Sequence, residues 1–212
     1  MAERPYHHGH LRDTLLAEAG RTLREQGVEQ LSLRDLARQA GVSHAAPRRH
    51  FADRQALLNA LAGAGFARLA DEVAAAIEDA GPDFRARLRA TGAAYVRFAT
   101  EDQALMELMF TAKNASASGE AAGHMAGQTA GQVAPPGEVA QGAGRLFTIV
   151  GELIREGQLT GQLPPGDPER LRLLFMATAR GIAGLVAPGQ PAAGQADGLL
   201  DDAVALFTQN AG

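Results

Sequence analysis

Along the chain, apolar residues return at intervals of three and four, and no stretch alternates with period two for long enough to make a strand. The expected fold class is therefore all-α. Leu11, Leu15, Leu16, Ala19 and Leu23 form a first stripe, closed by Gly27. Leu33, Leu36, Ala37 and Ala40 form a second, and Ser32 with Asp35 three residues later makes a capping-box-like start for it. Gly41 supplies a left-handed residue for an abrupt stop, Val42 can plug the angle between helices, and Ser43 can cap a third helix. That helix is short, expected over roughly 44–51, and Asp53 can cap the one after it.

From Arg54 a long helix is marked by Leu58, Leu61, Ala62, Gly65, Leu69, Val73 and Ile77, and Gly81-Pro82 stops it. Asp83 caps a helix carrying Phe84, Leu88, Tyr95 and Phe98, and a brief one carries Leu105, Met106, Leu108, Met109 and Phe110. Ala, Gly, Ser, Gln and Pro then dominate, so a mobile loop is expected over 114–138, although Gly119, Gly123, Gly127 and Gly131 would share one helix face. Order returns with Val139, Ala143, Leu146, Val150, Leu153 and Ile154, closed at Gly157. Asp167-Pro168 signals a helix carrying Leu171, Leu174, Phe175, Thr178, Ile182 and Leu185, and a last one covers about 196–209. The pattern gives about nine helices in two parts: a helix-turn-helix domain over 1–53 and a body over 54–212.

Composition narrows the function classes. A hydrophobic share of 46% with 21% charged residues is that of a globular protein, and the absence of cysteine removes disulfides, thiolate metal sites and cysteine nucleophiles. The opening Met1-Ala2-Glu3-Arg4-Pro5 lacks the apolar core of a signal peptide, and no later run is long and apolar enough for a membrane span, so a cytoplasmic address with no membrane partner is expected. Net charge is −4, but it is unevenly distributed: residues 1–62 hold nine arginines against seven acids, whereas 63–212 hold eleven basic against seventeen acidic residues. A weakly basic head on an acidic body suits a protein whose head meets a polyanion.

The segment Leu31-Ser32-Leu33-Arg34-Asp35-Leu36-Ala37-Arg38-Gln39-Ala40-Gly41-Val42-Ser43, continued by His44-Ala45-Ala46-Pro47-Arg48-Arg49-His50-Phe51 and by Arg54 to Leu58, resembles the DNA-binding signature of the TetR family. The likeness is to a subgroup with Tyr-His-His-Gly near the N-terminus, here Tyr6 to Gly9, and Ser-His-Ala-Ala-Pro opening the recognition helix, here Ser43 to Pro47. It implies a helix-turn-helix regulator of transcription that meets double-stranded operator DNA, with Arg34, His44, Ala45 and Ala46 reading bases and Arg48, Arg49, His50 and Arg54 on phosphates. Chemistry agrees: small residues let a helix approach the groove closely, arginine can reach a guanine edge, and amides after Ser32 and Ser43 can assist at phosphates. Two positions depart from the family pattern. Arg48 replaces a tyrosine, which predicts steeper salt dependence at that contact, and Pro47 removes an amide inside a short helix.

In the body, Glu101 to Phe110 resembles the family segment leading to a Met-Phe pair, and Phe175 to Gly181 resembles its Trp-His-Gly motif, with Met176 for tryptophan and Arg180 for histidine. Tyr95, Phe98, Met106, Met109, Phe110, Phe147 and Met176 are the expected lining of a small-molecule effector pocket. The last two helices resemble the pair that forms a dimer-wide four-helix bundle, so a homodimer is expected, with Leu171, Leu174, Leu199, Leu206 and Phe207 in its seam. Ligand entry would then shift the helix beginning at Arg54 and release a repressor from its operator. No cofactor or metal is expected; His7, His8 and His10 lack a carboxylate or thiolate to complete a site. Neither paired catalytic carboxylates nor a nucleophile-base pattern appears, so an enzyme is not expected. The rival reading is an architectural or partner-binding helical protein.

Overall fold

The computed structural model describes residues 11–125, 137–187, 190, 192 and 194–208, with only the backbone course of 116–125. Among them are eight α-helices and no strand: α1 (Leu11–Gln26), α2 (Leu33–Gln39), α3 (Arg54–Asp79), α4 (Phe84–Glu101), α5 (Gln103–Met125), α6 (Glu138–Leu159), α7 (Pro168–Val186) and α8 (Ala196–Thr208). Two 3-10 turns, Val28–Gln30 and Pro47–Arg49, complete the head. None of the described helices is long and apolar enough to cross a membrane.

The expected caps are in place. Amides donate to Asp53 Oδ1 from Ala56 (2.8 Å), to Asp83 Oδ2 from Ala86 (2.8 Å), and to Asp167 Oδ1 from Glu169 (3.0 Å). Each satisfies one of the unpaired donors that every helix start leaves open.

Two expectations are corrected. Residues 114–125, expected to open a loop, continue α5 as helix, so the brief helix around Met106 is 23 residues long. Extending a nucleated helix requires no new nucleus, and Ala115, Ala117, Ala121 and Ala122 offset the cost of Gly119 and Gly123. Residues 126–136, the rest of the expected loop apart from its last two positions, lie outside the described residues, as do Tyr6, His7, His8, Gly9 and His10. The short helix expected over 44–51 is instead a turn followed by the 3-10 turn Pro47–Arg49.

Helix α3 is the spine. Its first turns close the head core of Leu15, Leu23, Leu31, Leu36, Phe51 and Leu57, and its remainder packs in the body against α4, α5 and α6. Contact with α6 is backbone to backbone. A Cβ at Gly63 would lie 2.7 Å from the Glu138 carbonyl oxygen, and one at Gly142 would lie 2.5 Å from the Gly63 carbonyl oxygen. The sequence Gly63-Ala64-Gly65 is thus a packing face inside a helix. The same end of α6 reaches the head, where Arg12 of α1 pairs with Glu138 at 2.5 Å.

Gly142 and Gly144 sit two residues apart in α6, but only Gly142 faces α3, and a Cβ at Gly144 meets nothing. Gly142→Val is expected to destabilise the fold by about 3 kcal/mol or more through overpacking against rigid backbone, whereas Gly144→Ala gains about 0.5–1 kcal/mol. Denaturant midpoints of the two variants check this.

Candidate nucleic-acid interface and effector cleft

The head presents its candidate contacts through two linked turns. At the start of α2 the Asp35 amide donates to Ser32 Oγ (3.1 Å) while that hydroxyl donates to Asp35 Oδ2 (2.6 Å). With Arg38 on the other carboxylate oxygen (3.0 Å), these bonds hold the Asp35 carboxyl below its usual range. At Gly41 the backbone turns left-handed (φ 67°), and the Val42 amide returns to the Ala37 carbonyl at 2.9 Å. Pro47 has no N–H to continue a helix, so Arg49 and His50 form tight three-residue bonds to Ala46 (3.2 Å) and Pro47 (3.0 Å). Pro47 and Phe51 are buried, and they anchor the segment while its neighbours face outward.

Arg34, Ser43, His44, Ala45, Arg48, Arg49 and His50 are exposed together, and Ala46 is half-buried behind them. Among the described residues no acidic side chain pairs with Arg34, Arg48 or Arg49. Ser32 and Arg54 are engaged within the head. The Ser32 hydroxyl is committed to the cap, and the Arg54 guanidinium donates to the carbonyls of Leu31 (2.9 Å) and Val28 (2.6 Å), bracing the link between α1 and α2.

In the body a half-open cleft of about 220 Å³ lies between α4, α5 and α7, lined among others by Tyr95, Met106, Phe110, Gln103, Glu107 and Arg180. Three of the seven expected lining residues, Tyr95, Met106 and Phe110, meet there. Phe98 and Met109 are instead fully buried core, Met109 filling the space left by Gly65. Phe147 sits under Lys113 and Arg172, each 4.5 Å from its ring centre, and Met176 packs on the core. The sequence reading missed Gln103, Glu107 and Arg180. Arg180 was visible only as a replacement within a family motif, and Gln103 and Glu107 only as members of the Glu101 to Phe110 segment.

The Tyr95 side chain is buried, and its hydroxyl has no hydrogen-bond partner among the described residues. Loss of water pushes its pKa up to about 12, against a smaller opposing pull from Arg180, so it is a neutral donor at ordinary pH. Arg180 lies over the Phe110 ring at 3.7 Å.

Directly before the cleft's α5 wall stands Asp102, which the sequence marked only as a member of the Glu101 to Phe110 segment. It is 5% exposed, and its Oδ2 accepts from Arg24 of α1 (3.2 Å) and Arg68 of α3 (2.9 Å). Arg68 also stacks on Phe98. One carboxylate therefore joins the head, the spine and the start of α5.

Of the expected seam residues, Leu174 and Leu206 are more than half exposed, and Leu171, Leu199 and Phe207 are half-buried. Leu173 and Leu185 extend this apolar surface along α7.

Residues 15–61 match the family described as "Bacterial regulatory proteins, tetR family". A solved structure of a protein of unknown function from Rhodococcus sp. RHA1 is 40% identical, with 98% of each chain covered and a TM-score of 0.79. A tetR-family bacterial regulatory protein from Rhodococcus RHA1 shares the fold at 16% identity over 95% of this chain and 97% of the other (TM-score 0.66). So does AibR, solved with isovaleryl coenzyme A and operator DNA, at 16% identity over 93% and 98% (TM-score 0.59). No curated protein matches the sequence. With its helix-turn-helix, its all-helical body and these likenesses, the chain belongs to the TetR family of bacterial regulatory proteins, DNA-binding regulators of transcription.

Proposed function

We propose that the chain is a repressor that holds operator DNA as a homodimer and lets go when a small molecule enters the body. The head, 1–53, supplies the DNA contacts, the body, 54–212, supplies the effector cleft and the dimer seam, and α3 belongs to both. Arg34, His44, Ala45 and Ala46 read base edges, with Ser43 opening the recognition segment. Arg48, Arg49 and His50 lie on phosphates. Arg54 acts through the carbonyls it braces, which supports a positioning role. With no membrane-crossing helix among the described residues, a cytoplasmic regulator fits.

The observation that carries this reading is the position of Asp102. Gln103, Met106 and Glu107 of the cleft occupy the first turn and a half of α5, and the residue before them grips Arg24 in the head and Arg68 in the spine. A ligand that moves the start of α5 moves that grip. Two heads must match half-sites about 34–36 Å apart, so a shift of a few Å exchanges many contacts for strain.

The apolar surface of α7 and α8 supports pairing with a second copy through Leu171, Leu174, Leu199, Leu206 and Phe207. Large exposed leucines at helical spacing on two neighbouring helices are what a helix bundle needs from each partner.

On promoter DNA retained by the protein, Arg34→Ala is expected to lose about 1–3 kcal/mol and relax preference at one base position, while Arg48→Ala weakens all sequences alike and reduces the salt slope by about 1. Fluorescence anisotropy over a salt series separates these, and uniform weakening by Arg34→Ala would favour the architectural reading. Leu174→Asp with Leu206→Asp should convert a dimer into a monomer in analytical ultracentrifugation. Asp102→Asn should lower hydrogen-exchange protection across α1 while leaving α6 protected.

A further inference from the structure

The polar groups of the cleft are unevenly matched. Tyr95 of α4 is 2% exposed and borders the cleft, its buried hydroxyl has no partner among the described residues, and Arg180 of α7, exposed at the same cleft, has no acidic partner among them either. An unpartnered buried hydroxyl costs free energy that a bound acceptor recovers. Arginine has only donors to offer, so the two groups together ask for an acceptor that carries negative charge.

The surroundings strengthen that demand. Lys113 of α5 and Arg172 of α7 share the Phe147 ring, and Arg172 is 8% exposed, its Nη1 without a hydrogen-bond partner among the described residues. Burial, with the nearby charges of Arg172 and Arg180, lowers the pKa of Lys113. Among the described residues the only acidic partner of the three cations is Glu169, which pairs with Arg172 at 2.6 Å.

Charge and shape limit the ligand. Glu107 stands at the exposed edge of the cleft, where it accepts from Gln103 (3.1 Å), and it disfavours a polyanion. Apart from Gln190, the rest of the lining carries no polar side chain, with Ala99, Met106, Phe110 and Ala183 its apolar surface. At about 220 Å³ the cleft is below the roughly 300–1,000 Å³ of drug-sized sites, so the occupant is small.

We infer that the effector is a small amphipathic monocarboxylate, its carboxylate held by the Arg180 guanidinium and the Tyr95 hydroxyl and its hydrocarbon part lying between Met106 and Phe110. This rests on the effector-release reading above and names the ligand class for the same cleft. A carboxylate matches the planar fork of a guanidinium already stacked on Phe110, and the neutral tyrosine completes the carboxylate site.

The test uses three matched probes, hexanoate, hexanol and hexylamine, titrated into the purified full-length protein by calorimetry. Hexanoate alone should bind. Arg180→Gln should weaken it at least tenfold, Arg180→Lys should restore part of the loss, and Tyr95→Phe should weaken it severalfold, with thermal melts confirming that each variant folds. Hexanol or hexylamine binding as well as hexanoate would overturn the inference, as would binding of none of the three or an unchanged affinity in both Arg180→Gln and Tyr95→Phe. Operator release is read separately by anisotropy. Hexanoate binding that obeys the variants without releasing DNA would support the carboxylate site and contradict release by ligand.

Discussion

The close approach of α3 to α6 is the constraint on which the rest depends. Helix α3 runs for 26 residues, about 39 Å at 1.5 Å per residue, from the Asp53 cap in the head to the far end of the body. Where it meets α6, Gly63 and Gly142 bring backbone against backbone, so no layer of side chains can rearrange to absorb a displacement. The two helices therefore move as a unit. Because Arg12 ties the same end of α6 to α1, and Leu57 closes the head core from α3, the head's orientation follows the packing of the body.

Asp102 adds direction to that coupling. Its carboxylate is buried while Arg24 and Arg68 remain about half exposed, so the ion pairs are screened on one side and their value lies more in fixing positions than in net stability. Oδ1 has no hydrogen-bond partner among the described residues, so the two arginines satisfy only one side of the carboxylate. The polar walls of the cleft begin one residue later. In the proposed function, the effector cleft and the grip on the head thus meet at a single turn.

Most of the helical framework was legible in the sequence because end signals have local causes. The Asp53, Asp83 and Asp167 caps, the Gly41 stop and the proline at the start of α7 each act within a few residues of themselves. The head's exposed arginines were legible for the same reason, although the bonds of Arg54 were not, since they reach back more than twenty residues to Val28 and Leu31. The extension of α5 past Asn114 was hidden by a composition that resembles a loop but only has to continue an existing helix. The cleft was half legible. Tyr95, Met106 and Phe110 stood out as large apolar side chains, but periodicity cannot separate a cleft wall from core, and Phe98 and Met109 went to the core. Asp102 gave no signal of its own because a carboxylate between two helices looks like an ordinary surface residue until its partners, 34 and 78 positions away, are brought beside it.

The central claim is that two heads, each presenting Arg34 and the segment from Ser43 to His50, are held at a fixed separation to read DNA. Selection of binding sites from a pool of randomised duplexes by the purified protein at physiological salt tests it most directly. The predicted result is enrichment of an inverted repeat whose half-sites lie about one helical turn apart, or a multiple of it. A pool that emerges with no enriched sequence, or with an unpaired single half-site, would contradict it.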